Sequence, residues 1–293
     1  MKFKIIFLVF CVCMVVSCKN SPVKTDYTKL KLKGAVKNIT ETYFLPVLSG
    51  DTIKRGEQTT SESTFFESKG EEAFMSYETK IFFNQQGNIM EFTISDPASD
   101  LLFKEVYEYT DNILTLKKGT LNGDFFYKEI YQYNTKNKEI ERNFYDAENH
   151  IFETIITEYP DKNTIVEKVY TPENETSEFE RISTFEKDLP TMLVTKLENS
   201  VTEKWVAEYD ENGYLAGSKL YDENEELIQY TKSKYDEFGN EIEFAMYTPE
   251  NQLISIYKYQ YIYDKNNNWT QQATIINNYP EIITVRDIEY YSE

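Results

Sequence analysis

Histidine, cysteine, tryptophan and glycine are all scarce in this 293-residue chain, and each scarcity removes a class of chemistry. The one histidine, His150, follows Tyr145 in a polar turn, where an imidazole is ordinarily solvated. With its one histidine a solvated turn residue, the chain is not expected to hold a Ser-His-Asp or Cys-His nucleophilic centre or a histidine-rich metal site. Of the 3 cysteines, Cys11 and Cys13 lie in the first apolar run. Once that run is removed only Cys18 remains, so no disulfide supports the fold. Basic residues are the minority, 31 Lys and Arg against 50 Asp and Glu, for a formal net charge of −19. That balance excludes nucleic acid as a partner, because phosphate binding depends on Lys and Arg. The apolar run over residues 5–16 is too short to cross a bilayer as a mature helix.

That run, behind Lys2 and Lys4, has the form of a signal peptide over residues 1–17. Its end, Val15-Val16-Ser17-Cys18, resembles the lipobox of bacterial lipoproteins. The resemblance implies that Cys18 is the lipid attachment site and the mature N-terminus, carrying at least two acyl chains, since one chain binds a membrane only marginally. The membrane is thus one expected partner. Residues 18–33 are polar, contain Pro22 and lack apolar periodicity, which predicts a flexible tether. Nothing dense and acidic follows Cys18, so the expected location is the periplasmic face of the outer membrane rather than the cell surface.

What is abundant is tyrosine, 24 residues, together with 19 Phe. Aromatics followed by turn residues recur at Phe83, Tyr109, Tyr133, Tyr159, Phe185, Tyr209, Tyr235 and Tyr263, separated by 26, 24, 26, 26, 24, 26 and 28 residues. A second turn follows about 12 residues later in most repeats, around Asn122, Asn149, Asn174, Asn224 and Asn251. The expected fold is all-β, an antiparallel β-meander of about 26-residue two-strand repeats, curved or rolled into an elongated repeat sheet. Residues 83–293 would form this β-hairpin repeat domain. Residues 34–82 would be an N-terminal β capping segment, and a strand over 282–290 would cap the other end. Three residues before the anchors stand Val106, Ile130, Ile156, Ile182 and Val206, expected to stack into a continuous apolar stripe. The column is broken at Lys80, Lys232 and Gln260, expected as flanks of the array.

The units Tyr209-Asp210-Glu211-Asn212-Gly213, Tyr221-Asp222-Glu223-Asn224 and Tyr235-Asp236-Glu237-Phe238-Gly239-Asn240 resemble the tyrosine-aspartate repeats of the RHS/YD class. Leu32-Lys33-Gly34-Ala35-Val36-Lys37 is similar to the start of repeat-bearing lipoproteins of the Bacteroidota. The likeness covers about three quarters of the mature chain, with a degenerate motif: Phe replaces Tyr at Phe83 and Phe185. It implies antiparallel strands that coil or wrap, and a sugar-binding role given to some members by analogy. A similarity to short-repeat antitoxin-like proteins implies an immunity role as an alternative, against which stands the count of 10 glycines.

No motif specifies a reaction, so the chain is expected not to be an enzyme. A carboxylate-based glycan hydrolase is the catalytic alternative, because acids are plentiful, but it needs one carboxyl in an apolar pocket. Asp210 and Asp264 begin fragments that resemble calcium loops, yet Trp269 occupies the position of the required glycine and no metal or cofactor is expected. Tyr257, Tyr259, Tyr261 and Tyr263 alternate and so share a strand face. Tyr257, Tyr259 and Tyr261 with Trp205 and Trp269 are the candidate ligand-binding residues, an aromatic platform for sugar rings. The plainer reading is a cross-strand ladder, each pair contributing about 0.2–1 kcal/mol, and the scarcity of tryptophan favours it. The expected function is a lipid-anchored envelope protein acting as a binding or scaffolding surface, with a glycan or another envelope protein as partner.

Overall fold

Two kinds of polar turn close the hairpins. In the longer kind, a side-chain carboxylate or amide accepts from backbone N–H groups two and four residues on. Asp210 Oδ1 takes the N–H of Asn212 at 2.9 Å and of Tyr214 at 2.8 Å, and Asp236 and Asp264 do the same. The fourth residue of such a turn is left-handed, as at Gly239 (φ 86) and Asn267 (φ 62), a conformation that Gly and Asn reach at low cost. In the shorter kind both central residues have positive φ, as in Asp111-Asn112 and Asn277-Asn278, and the turn matches the right-handed twist of its strands.

The computed structural model describes residues 25–50, 52–62, 75–96, 98–174, 176–177 and 179–292. Cys18 and the expected signal peptide lie outside the described residues. A short helix, α1 (Asp26–Lys29), precedes the strands β1 (Val36–Ser49), β2 (Thr52–Thr59), β3 (Ser61–Glu62) and β4 (Met75–Ser76). Then come β5 (Glu78–Phe83), β6 (Ile89–Asp96), β7 (Leu101–Thr110), β8 (Ile113–Leu121), β9 (Asp124–Tyr133) and β10 (Glu139–Tyr145). They are followed by β11 (Ile151–Glu158), β12 (Thr164–Tyr170), β13 (Phe179–Glu186), β14 (Leu189–Leu197), β15 (Ser200–Tyr209) and β16 (Leu215–Asp222). The last are β17 (Leu227–Tyr235), β18 (Glu241–Tyr247), β19 (Leu253–Tyr263), β20 (Trp269–Ile276) and β21 (Tyr279–Tyr290).

From β5 to β21 each strand pairs antiparallel with the next, as a meander does. The meander has no free ends. Ile39 of β1 lies opposite Ile81 of β5 on one side and Ile288 of β21 on the other. The sheet is therefore a closed 18-strand antiparallel barrel, with β2 continuing from β1 as an extra strand. This corrects the expectation of an open, rolled repeat sheet. It also changes the role of the two expected caps: β1 and β21 pair with each other, and closure removes the unpaired backbone that caps would have to cover.

Register separates the two faces of the wall. Ile39, Glu41 and Tyr43 stand level with Ile81 and Thr79, and onward with Phe92, Ile94, Phe103 and Glu105; all are buried and this face is the interior. Tyr27, Leu30 and Leu32 pack on the cluster of Val36, Ile39, Ile81 and Phe83. The alternate residues face outward, and many of them are charged, while Ala245, Ala273 and Ile283 on the same register are apolar and buried. Across neighbouring strands Lys104 meets Glu91 at 2.6 Å, Lys168 meets Glu158 at 2.9 Å, Lys196 meets Glu180 at 2.7 Å and Lys219 meets Glu208 at 2.6 Å. The column of Val106, Ile130, Ile156, Ile182 and Val206 falls on this outer face: Ile156 stands between Glu141 and Lys168. Lys80, Lys232 and Gln260 are the same outward column, not flanks of an array, because an exposed position accepts polar and apolar side chains alike.

Repeat-to-repeat contact is made instead by tyrosine hydroxyls at strand ends. Tyr109 donates to the Ile89 carbonyl at 2.8 Å, Tyr133 to Leu114 at 2.7 Å, Tyr159 to Glu139 at 2.9 Å, Tyr209 to Pro190 at 2.6 Å and Tyr235 to Leu215 at 3.0 Å. Each carbonyl belongs to the first or second residue after a turn, beside the register shift that ends regular pairing. Burial pushes the Tyr159, Tyr209 and Tyr235 hydroxyls up to about 12, so they stay protonated donors. At the seam, Tyr291 donates to Phe83 at 2.6 Å and carries the same contact across the closure.

Residues 25–33, expected within the tether, are folded. They bridge turns on either side of β1 at the end where the chain enters, here the proximal end. Tyr27 N–H donates to Gly87 at 3.0 Å, Lys31 Nζ to Gly239 at 2.6 Å, and Lys33 N–H to Asn268 Oδ1 at 2.9 Å.

Tyr133→Phe and Tyr209→Phe should each lower stability by about 1 kcal/mol, leaving a part-buried carbonyl without its donor. Tyr257→Phe, whose hydroxyl has no partner among the described residues, should leave the denaturant midpoint unchanged.

Candidate binding site

Strand β19 alternates, so Tyr257, Tyr259, Tyr261 and Tyr263 all face inward, with Tyr259 opposite Thr274 and Tyr261 opposite Gln272. Ring centroids lie 6.5 Å apart for Tyr259 and Tyr261, 5.9 Å for Tyr261 and Tyr263, and 6.0 Å for Tyr261 and Trp269. Phe244 extends the strip at 5.9 Å from Tyr257. The structure thus brings Tyr257, Tyr259, Tyr261 and Trp269 together. Trp205 is elsewhere: it is buried on β15 opposite Leu193, beside a shallow hollow lined by Ser183, Pro190 and Leu215.

The hydroxyls divide the strip. Tyr261 donates to the Glu241 carbonyl at 2.8 Å and accepts from Gln272 Nε2 at 2.9 Å, while Tyr263 donates to Asp236 Oδ2 and accepts from Asn240 at 3.0 Å. Both hydroxyls are committed to the wall. Among the described residues, those of Tyr257 and Tyr259 have no hydrogen-bond partner, and the side chains are half-buried. Burial raises the Tyr259 pKa, reinforced by nearby Glu241, so its hydroxyl is a neutral donor.

Next to the strip lies Arg286, whose guanidinium sits 3.4 Å over the Trp269 ring. Its Nε donates to Glu41 at 2.8 Å, and Tyr43 donates to the other Glu41 oxygen at 3.1 Å and meets Thr79 at 3.0 Å. Burial lowers the Arg286 pKa and the Glu41 carboxylate opposes that shift. Sequence reasoning missed Arg286 and Glu41, which are 245 positions apart and meet only because the barrel closes.

A second group of inward charges lies on β7 to β10. Lys117 reaches Glu105 at 3.0 Å and Glu129 at 3.4 Å, and Arg142 reaches Glu139 at 2.7 Å. Tyr107 and Tyr127 donate to Glu105, and Tyr131 donates to Glu129 at 2.7 Å. Burial alone would lower the Lys117 pKa, but the two carboxylates raise it; burial raises that of Glu139 and Arg142 opposes it. Each charge is answered by an opposite charge, and Glu105 and Glu129 also accept from tyrosines, so this group serves as a polar core. Among the described residues, no group of three or more His, Cys, Asp or Glu is placed to hold a metal ion.

No protein-family model matches the chain, and no curated protein matches it. Solved structures do. A porin-like protein from Bacteroides uniformis is 11% identical, covering 88% of this chain and 98% of that one, with a TM-score of 0.42. A porin-like protein from Bacteroides vulgatus is 10% identical, covering 88% and 99%, with a TM-score of 0.31. The Photorhabdus luminescens Tc holotoxin pore is 11% identical over 71% of this chain and 15% of that one, with a TM-score of 0.18. At such scores none of them decides activity or membrane insertion, which rest on this chain's own residues. Among the described residues no helix is long and apolar enough to cross a membrane. Among the described residues, the barrel's outer face carries Lys–Glu pairs on several strands beside the outward Val/Ile column, where Ile182 lies between Val166 and Val194.

Replacing Arg286 with Met should destabilise the protein by about 3–5 kcal/mol, because the buried Glu41 carboxylate loses the cation it faces. Adding Glu41→Leu should recover much of that loss. Chemical denaturation of the two single variants and the double variant measures the coupling.

Proposed function

We propose that this protein is a lipid-anchored barrel of the outer membrane, facing the periplasm, whose inner wall binds a glycan. The observation that carries the reading is the pair of inward tyrosines, Tyr257 and Tyr259, with uncommitted hydroxyls on a continuous aromatic strip that ends at Trp269. Aromatic faces take the C–H surface of a sugar ring, and the neighbouring Gln272 and Thr274 supply polar partners. Wall strength does not require these two hydroxyls, in contrast to those of Tyr261 and Tyr263.

Anchoring through lipid at Cys18 agrees with an outer face that is charged and ion-paired. Under this reading the lipid holds the protein to the membrane.

Cys18→Ala should stop labelling by palmitate and move the protein from the membrane fraction to the soluble fraction. Retention in the membrane after a high-pH wash would show instead that the barrel itself spans the bilayer. On a glycan array the mature protein should bind a defined subset. Tyr257→Ala with Tyr259→Ala should weaken that binding by about tenfold, equivalent to about 1.4 kcal/mol, with a thermal melt confirming that the variant folds. An array without a binder defeats the glycan reading.

A further inference from the structure

The two ends of the barrel differ. Strands β6, β8, β10, β12, β14, β16, β18 and β20 finish at the end away from the N-terminus, the distal end, where β1 also turns into β2. Among the described residues, every exposed large apolar side chain except Met90, Ile242 and Ile262 stands at this end. Leu48 is 64% and Tyr279 72% exposed, and Phe126, Phe152, Leu197 and Leu253 lie between 40% and 51%. They come from β1, β9, β11, β14, β19 and β21, so they are spread around the ring. Scattered single apolar residues need no explanation, but a set gathered on one rim marks an interaction surface.

Charge differs along the same axis. The described distal turns carry Glu148, Glu173, Glu198, Glu223 and Glu250 without Lys or Arg, while β2 brings Lys54 and Arg55 to one sector of the rim, opposite Val47 and Pro46. The proximal turns are mixed: Lys136, Lys138, Lys162, Lys187 and Lys265 stand among acids such as Asp161, Asp188, Asp210 and Asp236, and Lys31 and Lys33 lie across them. An apolar rim interleaved with carboxylates complements a partner face that is apolar and ringed by Lys and Arg.

We propose that the distal rim docks a protein whose contact face is apolar with a basic border. Charge complementarity selects this occupant over the others. A second copy meeting rim to rim would bring like charges together. An anionic bilayer would be repelled by the same carboxylates. The chain's own N-terminal segment is tied to the proximal turns. The surface is separate from the aromatic strip inside, so one can fail without the other.

The test uses the mature lipoprotein in detergent and two synthetic peptides of equal length, one alternating Lys with Leu and one alternating Glu with Leu. Binding is read by fluorescence anisotropy across a salt series. The Lys/Leu peptide should bind and the Glu/Leu peptide should not. The combined variant Leu48→Ser, Leu253→Ser and Tyr279→Ser should weaken binding by about tenfold or more, as loss of buried anchors does. The combined variant Glu148→Gln, Glu223→Gln and Glu250→Gln should weaken binding about threefold to tenfold and flatten its salt dependence. An equal charge change on the outer wall, Glu158→Gln, Glu208→Gln and Glu243→Gln, should change little. Thermal melts confirm that each variant folds. Equal loss from wall and rim variants, or equal binding of both peptides, would overturn the proposal. So would concentration-dependent dimers that the rim variants abolish, or rim-dependent binding to phosphatidylglycerol vesicles. Glycan binding by the Tyr257 and Tyr259 strip should be unchanged in every rim variant.

Discussion

Closure of the sheet through β1 is the constraint on which the rest of the structure depends. A strand carries an N–H and a C=O at each non-proline residue, and an unpaired row of them invites other chains. In this barrel β1 meets β5 on one side and β21 on the other, so the meander ends where it began. The interior then becomes a separate environment, in which Glu41 and Arg286 can be held together away from solvent.

Much of the hairpin chemistry was legible because it is local. Asp210, Asp236 and Asp264 each satisfy backbone donors within four residues, and the left-handed residue that follows them is Gly or Asn. The recurrent tyrosine was legible as a repeat but not in its role. Its hydroxyl reaches a carbonyl about 20 residues earlier, at a place where strand register slips and ordinary pairing stops. That geometry depends on which neighbour is adjacent and cannot be read from spacing alone. The Val106 to Val206 column does not form the continuous stripe expected of it, because its members sit on alternate strands and the strands between bring Lys118 and Lys168 beside them. A period of two identifies a face, but only packing says what stands between its members.

Closure itself left no local mark. Residues in β1 lie outside the 26-residue repeat, and their partners in β21 are some 245 positions away. The same separation hid the polar core, since a lone Arg286 in an alternating strand looks like any solvated charge. The aromatic strip was visible because four of its members sit on one strand, whereas Trp205 was grouped with them by residue type and belongs to another part of the wall. Together these features describe a charged cylinder, bound internally by ion pairs and tyrosines, with unlike ends.

The seam between β1 and β21 also has a kinetic meaning. It joins the first of the described strands with the last of them, so loop-closure entropy is large for the pairing on which the barrel relies. Until β21 emerges, β1 lacks one neighbour and the hairpin array presents raw edges, a state prone to mispairing. Truncation near residue 279 would therefore remove more than one strand's worth of structure: it would leave the cylinder without a way to finish.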